Sequence, residues 1–184
     1  MATAAGAEEP ADLSALLDAG DGAVVTLVAG RTRLAAHRAV LAARSPVLAA
    51  LLSRGGGAGE VEVGDVAGPL LRQLLAALYT LRAPRQPGAA LQLLEAADRF
   101  GVPELVADCE RLAAAQLRVE TAAAAAVLAV TRRYAGLARA AVAFLRAHVS
   151  RVVGTRGWAD AVRTQPDALI EVIRLLADPP AGTR

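Results

Sequence analysis

The chain has 184 residues, 55% of them hydrophobic and 3% aromatic, enough apolar material to bury a core in one domain or in one domain with an appended lobe. All 20 basic residues are arginine and none is lysine; against 18 acidic residues they leave a net charge of only +2 and few rings on which bases could stack, which argues against direct nucleic-acid binding. Cys109 is the single cysteine, so an intrachain disulfide is excluded and a reducing setting, nucleus or cytoplasm, is expected. Glu8 and Glu9 argue against a signal peptide, and no apolar run approaches the roughly 18 residues of a membrane span.

The small, acidic N-terminus reads as a frayed tail. Asp12 to Leu17 then predicts a short helix with Leu13, Leu16 and Leu17 on one side, ended by Asp18, Gly20, Asp21 and Gly22. Val24 to Val28 is a β-branched run closing on Gly30, and Thr32 to Leu34 can pair back on it through a turn at Gly30 and Arg31. Val40, Leu41, Val47, Leu48, Leu51 and Leu52 follow at helical spacing. Ser45-Pro46 supplies an N-cap and a proline at the first helical position, so two short helices meet there.

Ser53 to Gly59, S-R-G-G-G-A-G, is loop by composition, and Glu60 to Val63 alternates as an edge strand does. Pro69 to Tyr79 carries Leu71, Leu74, Leu75 and Leu78 at core-facing spacing. Arg82 to Gly88, with Pro84 and Pro87, is a linker; Ala89 to Phe100 and Pro103 to Gln116 are two further helices. From Val119 onward the chain again reads helical: an alanine tract at 122–126, then Tyr134 to Ser150 with Leu137, Ala141, Phe144, Leu145 and His148 on one face, a Gly157-Trp158 pair, and Pro166 to Ala177.

Residues for chemistry are few. Two histidines, His37 and His148, one cysteine and no clustered carboxylates assemble neither a metal set nor a catalytic triad, and the glycines at 55–57 follow no strand and open no helix, as a phosphate loop would. Cys109 reads as a small buried hydrophobe and His37 as a helix-start residue bonded to backbone. No enzyme activity, cofactor or metal is expected.

The stretch from Leu34 to Leu52 resembles the F-x-A-H-R/K-x-x-L-A-A-R-S-P-x-F core of BTB/POZ domains, matched at His37, Arg38, Leu41, Ala42, Ala43, Arg44, Ser45 and Pro46, with Leu34 and Leu48 in place of phenylalanine. Leu78 to Thr80 resembles the family's I-Y-T, and L-L-E-A-A-D-R-F-G-V-P-E-L-V-A-D-C-E its closing helices. The tail, with T-R-G-W and the run from Pro166 to Glu171, is similar to the helical segment of the speckle-type POZ proteins. The resemblance implies an α+β BTB/POZ fold, a small sheet flanked by a helical cluster with an appended all-α lobe. It divides the chain into a flexible N-terminus (1–8), a BTB/POZ domain (9–117), a 3-box or BACK-like helical lobe (118–178) and a tail (179–184), with Trp158 anchoring the lobe.

Speckle-type relatives pair as dimers through the first helix, so the resemblance puts Leu13, Leu16 and Leu17 on a homodimer or heterodimer seam; the alternative is that these leucines cap the monomer's own core. The family's buried aspartate falls at Val24, so Arg44 either finds another carboxylate, such as Asp21, or faces water. By resemblance the chain is an adaptor-like subunit of a cullin-3 RING ubiquitin ligase serving protein degradation, with no MATH domain read in it. Leu51, Leu52, Ser53, Arg54 and Tyr79 are then the cullin-binding candidates. The family's hydrophobic-x-Glu cullin motif is not recognisable in the glycine-rich loop, which leaves open a cullin-independent oligomeriser: structural, transcription-associated, or an inhibitor of full-length adaptors.

Overall fold

The structure is a computed structural model that describes residues 23–54, 59–64, 66–86 and 88–177. These fall into two compact units, one of 23–80 with 96–103 and one of 81–95 with 104–177.

The first unit is built on the hairpin of strands β1 (Val24–Ala29) and β2 (Thr32–His37). Ala29 lies opposite Thr32 in antiparallel register, which leaves the two-residue turn at Gly30-Arg31 that the sequence predicts; Gly30 takes φ +56, open to a residue without Cβ. Val25, Leu27 and Ala29 point inward at 0–5% exposure, the period of two expected of a half-buried strand. Strand β3 (Glu60–Glu62) pairs with the other edge of β1 in parallel, giving the order β2-β1-β3. A parallel partner needs a crossover. Helices α1 (Arg38–Arg44) and α2 (Pro46–Arg54) supply it.

Ser45 joins these two helices and is fully buried. It is extended (φ −142°, ψ 113°), as a residue before proline must be. Its amide closes α1 on the Leu41 carbonyl at 3.0 Å; its Oγ accepts from the Leu48 amide at 3.0 Å as the N-cap of α2 and donates to the Phe100 carbonyl at 2.6 Å. The Phe100 carbonyl is held in place by a Schellman turn: Gly101 takes φ +67, its amide reaches Asp98 at 3.0 Å, and the Val102 amide reaches Ala97 at 2.9 Å.

Helix α3 (Gly68–Thr80) buries Leu71, Leu74, Ala77 and Leu78, while Leu75, expected in that stripe, is only half-buried. Its first residue touches β2. A Cβ built on Gly68 would overlap the Thr32 hydroxyl and stand 2.7 Å from Thr32 Cβ, which cannot swing away. Gly68→Ala is therefore expected to lose about 1–3 kcal/mol in urea unfolding, whereas Gly64→Ala, at an open site, should stay within about 0.5 kcal/mol of wild type.

In the second unit, helices α4 (Ala89–Arg99, to Glu95) and α5 (Pro103–Ala115, from Glu104) precede a bundle of α6 (Ala122–Arg132), α7 (Ala135–Val152), α8 (Arg156–Thr164) and α9 (Pro166–Ala177). The alanine tract lies at the centre of this bundle. Ala122, Ala123, Ala125 and Ala126 are at most 1% exposed, and α6 packs against α7, α8 and α9 together; side chains this small let three helices close on one. Leu145, Val152, Leu169 and Val172 fill the remaining core, with Trp158 packed against it as the lobe's aromatic anchor.

Helix α8 goes beyond the sequence reading, which saw only a Gly-Trp pair there. Thr155 starts it: its Oγ1 accepts from the Trp158 amide at 3.2 Å and donates to the Val152 carbonyl at 2.7 Å. Gly157 is required next to that cap, since a Cβ would come within 2.8 Å of the Glu120 carbonyl oxygen. Helix α6 ends with Arg133 in the left-handed region (φ 61°) and the Tyr134 amide on the Ala129 carbonyl at 2.9 Å, a turn usually given to glycine. Helix α7 bends at His148 (φ −132°, ψ 19°), whose ring lies 4.5 Å from that of Phe144.

Candidate protein-interaction face

Helix α2 carries two apolar stripes where a surface helix needs one. Leu48 and Leu52, four residues apart, are buried at 1% and 4%. On the other side Val47, Ala50, Leu51 and Arg54, at i, i+3, i+4 and i+7, line a shallow apolar groove of about 370 Å³ together with Pro46. Val47 is 37% exposed and Leu51 half-buried. The spacing of this second stripe is visible in the sequence, yet reading every apolar residue of the helix as core hides it.

The five cullin-binding candidates thus separate. Leu51 and Arg54 line the outward groove, and Arg54 sits in the last turn of α2, where its positive charge complements the negative end of the helix dipole. Ser53 is exposed, with its hydroxyl donating to the Ala49 carbonyl at 2.9 Å. Leu52 faces the core, and its carbonyl accepts from Arg38 Nη1 at 3.2 Å. Tyr79, on the last turn of α3, is 42% exposed.

Tyr79 is fixed by the residue before Arg38. Its hydroxyl accepts the His37 main-chain N–H at 2.9 Å and lies 2.9 Å from His37 Nδ1. His37 is therefore bonded through the Tyr79 side chain rather than through backbone alone, as the sequence reading had it. Consecutive residues His37 and Arg38 thus hold Tyr79 and the C-terminal turn of α2.

Val24, at the position of the family's buried aspartate, is 51% exposed. Arg44 is half-buried. Asp21 and the dimer-seam residues Leu13, Leu16 and Leu17 lie outside the described residues. In the second unit, burial pushes the Cys109 thiol up to about 12, with the Asp108 carboxylate adding to it, so at neutral pH the side chain is a protonated, fully buried hydrophobe and not a nucleophile. Among the described residues no three of His, Cys, Asp and Glu stand together as a metal set, and no helix is long and apolar enough to cross a membrane.

A hairpin, a two-helix crossover capped by Ser45 and two closing helices make an α+β protein-interaction domain. The chain belongs to the BTB/POZ domain family, which matches it over residues 13–117, more than half its length. It is similar to TD and POZ domain-containing protein 4 of Mus musculus, 33% identical over an alignment 161 residues long that covers 82% of this chain and 42% of that protein, so the chain spans less than half of that relative. It also resembles the solved BTB domain of zebrafish PATZ1, at 26% identity and a TM-score of 0.43, over 52% of this chain and 79% of the other.

Proposed function

We propose that this chain is a non-enzymatic adaptor-like subunit of a cullin-3 RING ubiquitin ligase, working in the nucleus or cytoplasm in the manner of the speckle-type POZ proteins it resembles. The observation that carries the reading is the outward stripe of α2: a BTB/POZ domain that leaves Val47 and Leu51 in an apolar groove beside Arg54 presents a face to be covered by protein. Tyr79, an aromatic of the type that anchors interfaces, stands exposed on α3.

Calorimetric titration with the N-terminal domain of cullin-3 is the test. Leu51→Asp with Arg54→Glu is expected to weaken binding at least about 30-fold, the loss of roughly 2 kcal/mol typical of a central contact, without unfolding the domain, since both residues sit on its outside. Equal affinity for the variant, or no binding by the wild type, overturns the reading.

A second reading, a cullin-independent oligomeriser, is favoured by the sequence S-R-G-G-G-A-G, which begins in the last turn of α2 and lacks the hydrophobic-x-Glu motif of cullin-binding relatives. Both readings include self-association through Leu13 and Leu16. Light scattering should give twice the chain mass for the wild type and the single mass for Leu13→Asp with Leu16→Asp; a wild type monomeric at micromolar concentration would remove the seam. A stable dimer with no heat on titrating cullin-3 would select the second reading.

A further inference from the structure

Helix α1 starts against two local rules. His37 stands at its N-cap, where a side chain ordinarily accepts from the first-turn amides, yet it makes no such bond. Arg38, the first helical residue, brings a cation to the positive end of the helix dipole. Neither side chain serves the helix it opens. The His37 ring nitrogen Nδ1 lies 2.9 Å from the Tyr79 hydroxyl, and the half-buried Arg38 crosses to the far end of α2, where its Nη1 donates to the Leu52 carbonyl at 3.2 Å.

There the signs agree. The carbonyls of a last helical turn have no partner within the helix, and a guanidinium beside them meets the negative end of the dipole. The turn that Arg38 closes carries Leu51 and Arg54, the outward residues of the groove. Tyr79, 42% exposed, is tied through its hydroxyl to the residue next to Arg38. Because the two anchors are consecutive, the Tyr79 hydroxyl and the Leu52 carbonyl stand no more than about 20 Å apart, inside the roughly 800 Å² that one partner gives to a standard interface. Departures from local rules gather where a sequence serves a site.

We propose that His37 and Arg38 are the positioning residues of the protein-interaction face. Arg38 fixes the last turn of α2, His37 fixes the Tyr79 ring, and the two parts are thereby presented to a partner as one preformed surface. A surface ordered before contact loses less conformational entropy on binding, so the pair acts on affinity through Leu51, Arg54 and Tyr79. The inference rests on the adaptor reading for its partner, the N-terminal domain of cullin-3, and on the geometry alone for the positioning.

Calorimetric titration of the intact chain with that domain is the test. Arg38→Met keeps the stem and removes every donor, and should weaken binding about tenfold, the scale of one lost hydrogen bond to a charged group. Arg38→Lys restores a charged donor and should recover most of that loss. Tyr79→Phe keeps the ring and cuts the link, and His37→Leu removes the ring end of it; each should lose about fivefold, and the double variant no more than Tyr79→Phe alone. With Leu51→Ala and Arg54→Ala in place, Arg38→Met should add less than about twofold, because the side chains it positions are gone. A role in stability alone would produce neither this coupling nor the recovery by lysine. In the free chain, amide exchange over residues 51–54 should quicken in Arg38→Met and not in Tyr79→Phe.

Affinity unchanged in both Arg38→Met and Tyr79→Phe overturns the proposal and leaves the adaptor reading standing. So does a loss in Arg38→Lys equal to that in Arg38→Met, or exchange over 51–54 that Arg38→Met leaves unaltered. Tyr79 is on the surface, so Tyr79→Phe should keep the wild-type circular dichroism, and its affinity decides the matter even where Arg38→Met unfolds. No heat from the wild type defeats the adaptor reading itself, and exchange in the free chain then decides the positioning alone.

Discussion

Ser45→Ala is expected to lose about 2–4 kcal/mol of stability, the largest effect of any single-atom deletion in the first unit. Four backbone groups converge on this residue, and two of them depend on its hydroxyl: the Leu48 amide at 3.0 Å and the Phe100 carbonyl at 2.6 Å, both buried. Removing an N-cap oxygen costs about 0.5–2 kcal/mol, and a buried carbonyl left without a donor costs about 1–3 kcal/mol more. Water cannot repair the loss at a site with no exposed surface. For a chain of this size the fall in melting temperature should be roughly 5–15 °C. A loss below about 1 kcal/mol would mean that Ser45 merely fills space.

The second large effect concerns ubiquitin transfer, and it rests on the adaptor reading. An adaptor held in a ligase is exposed to the charged conjugating enzyme, and the acceptor amine must attack the thioester carbonyl, releasing the enzyme thiol and forming an isopeptide bond. This chain offers no lysine. Cys109 is fully buried with its thiol pushed up to about 12, which removes the next-best nucleophile. With the N-terminal amine blocked, the wild type should therefore remain unmodified in a reconstituted cullin-3, RING and conjugating-enzyme mixture. Arg118→Lys, which places one amine at an exposed position, should switch ladders on. Coding bias in an alanine-, arginine- and glycine-rich chain is sufficient to explain how lysine was lost, and the chemical consequence is the same. Ladders on the blocked wild type would contradict it.

Much of the fold is legible in the residues because local chemistry and tertiary need agree there. Gly30 permits the hairpin turn, Ser45-Pro46 writes a helix junction, and the leucines of α3 keep helical spacing. Helix α8 was not legible, since Arg156 to Thr164 has no apolar stripe beyond Trp158, Ala161 and Val162; its start is set by the Thr155 cap and its position by packing on the alanine tract. The parallel pairing of β3 with β1 is equally hidden, because a three-residue strand carries too little pattern to choose a neighbour.

The candidate site was half legible for a related reason. Leu51 and Leu52 are the same residue type, and only the helix phase, fixed by Leu48 against the core, decides that Leu52 goes in and Leu51 turns out. The link from Tyr79 to His37, 42 residues apart in sequence, lies beyond any local pattern. The dipolar pairing of that hydroxyl with both the amide and the ring is a tertiary fact alone.

Amide hydrogen exchange of the chain, alone and with the N-terminal domain of cullin-3 added in excess, tests the central claim most directly, because it reads which backbone is covered without altering a residue. The account predicts slowed exchange over residues 46–54 of α2 and in the last turn of α3 around Tyr79, while the alanine tract of α6 is unchanged. Unaltered exchange at α2 and Tyr79 in the presence of cullin-3 would contradict it.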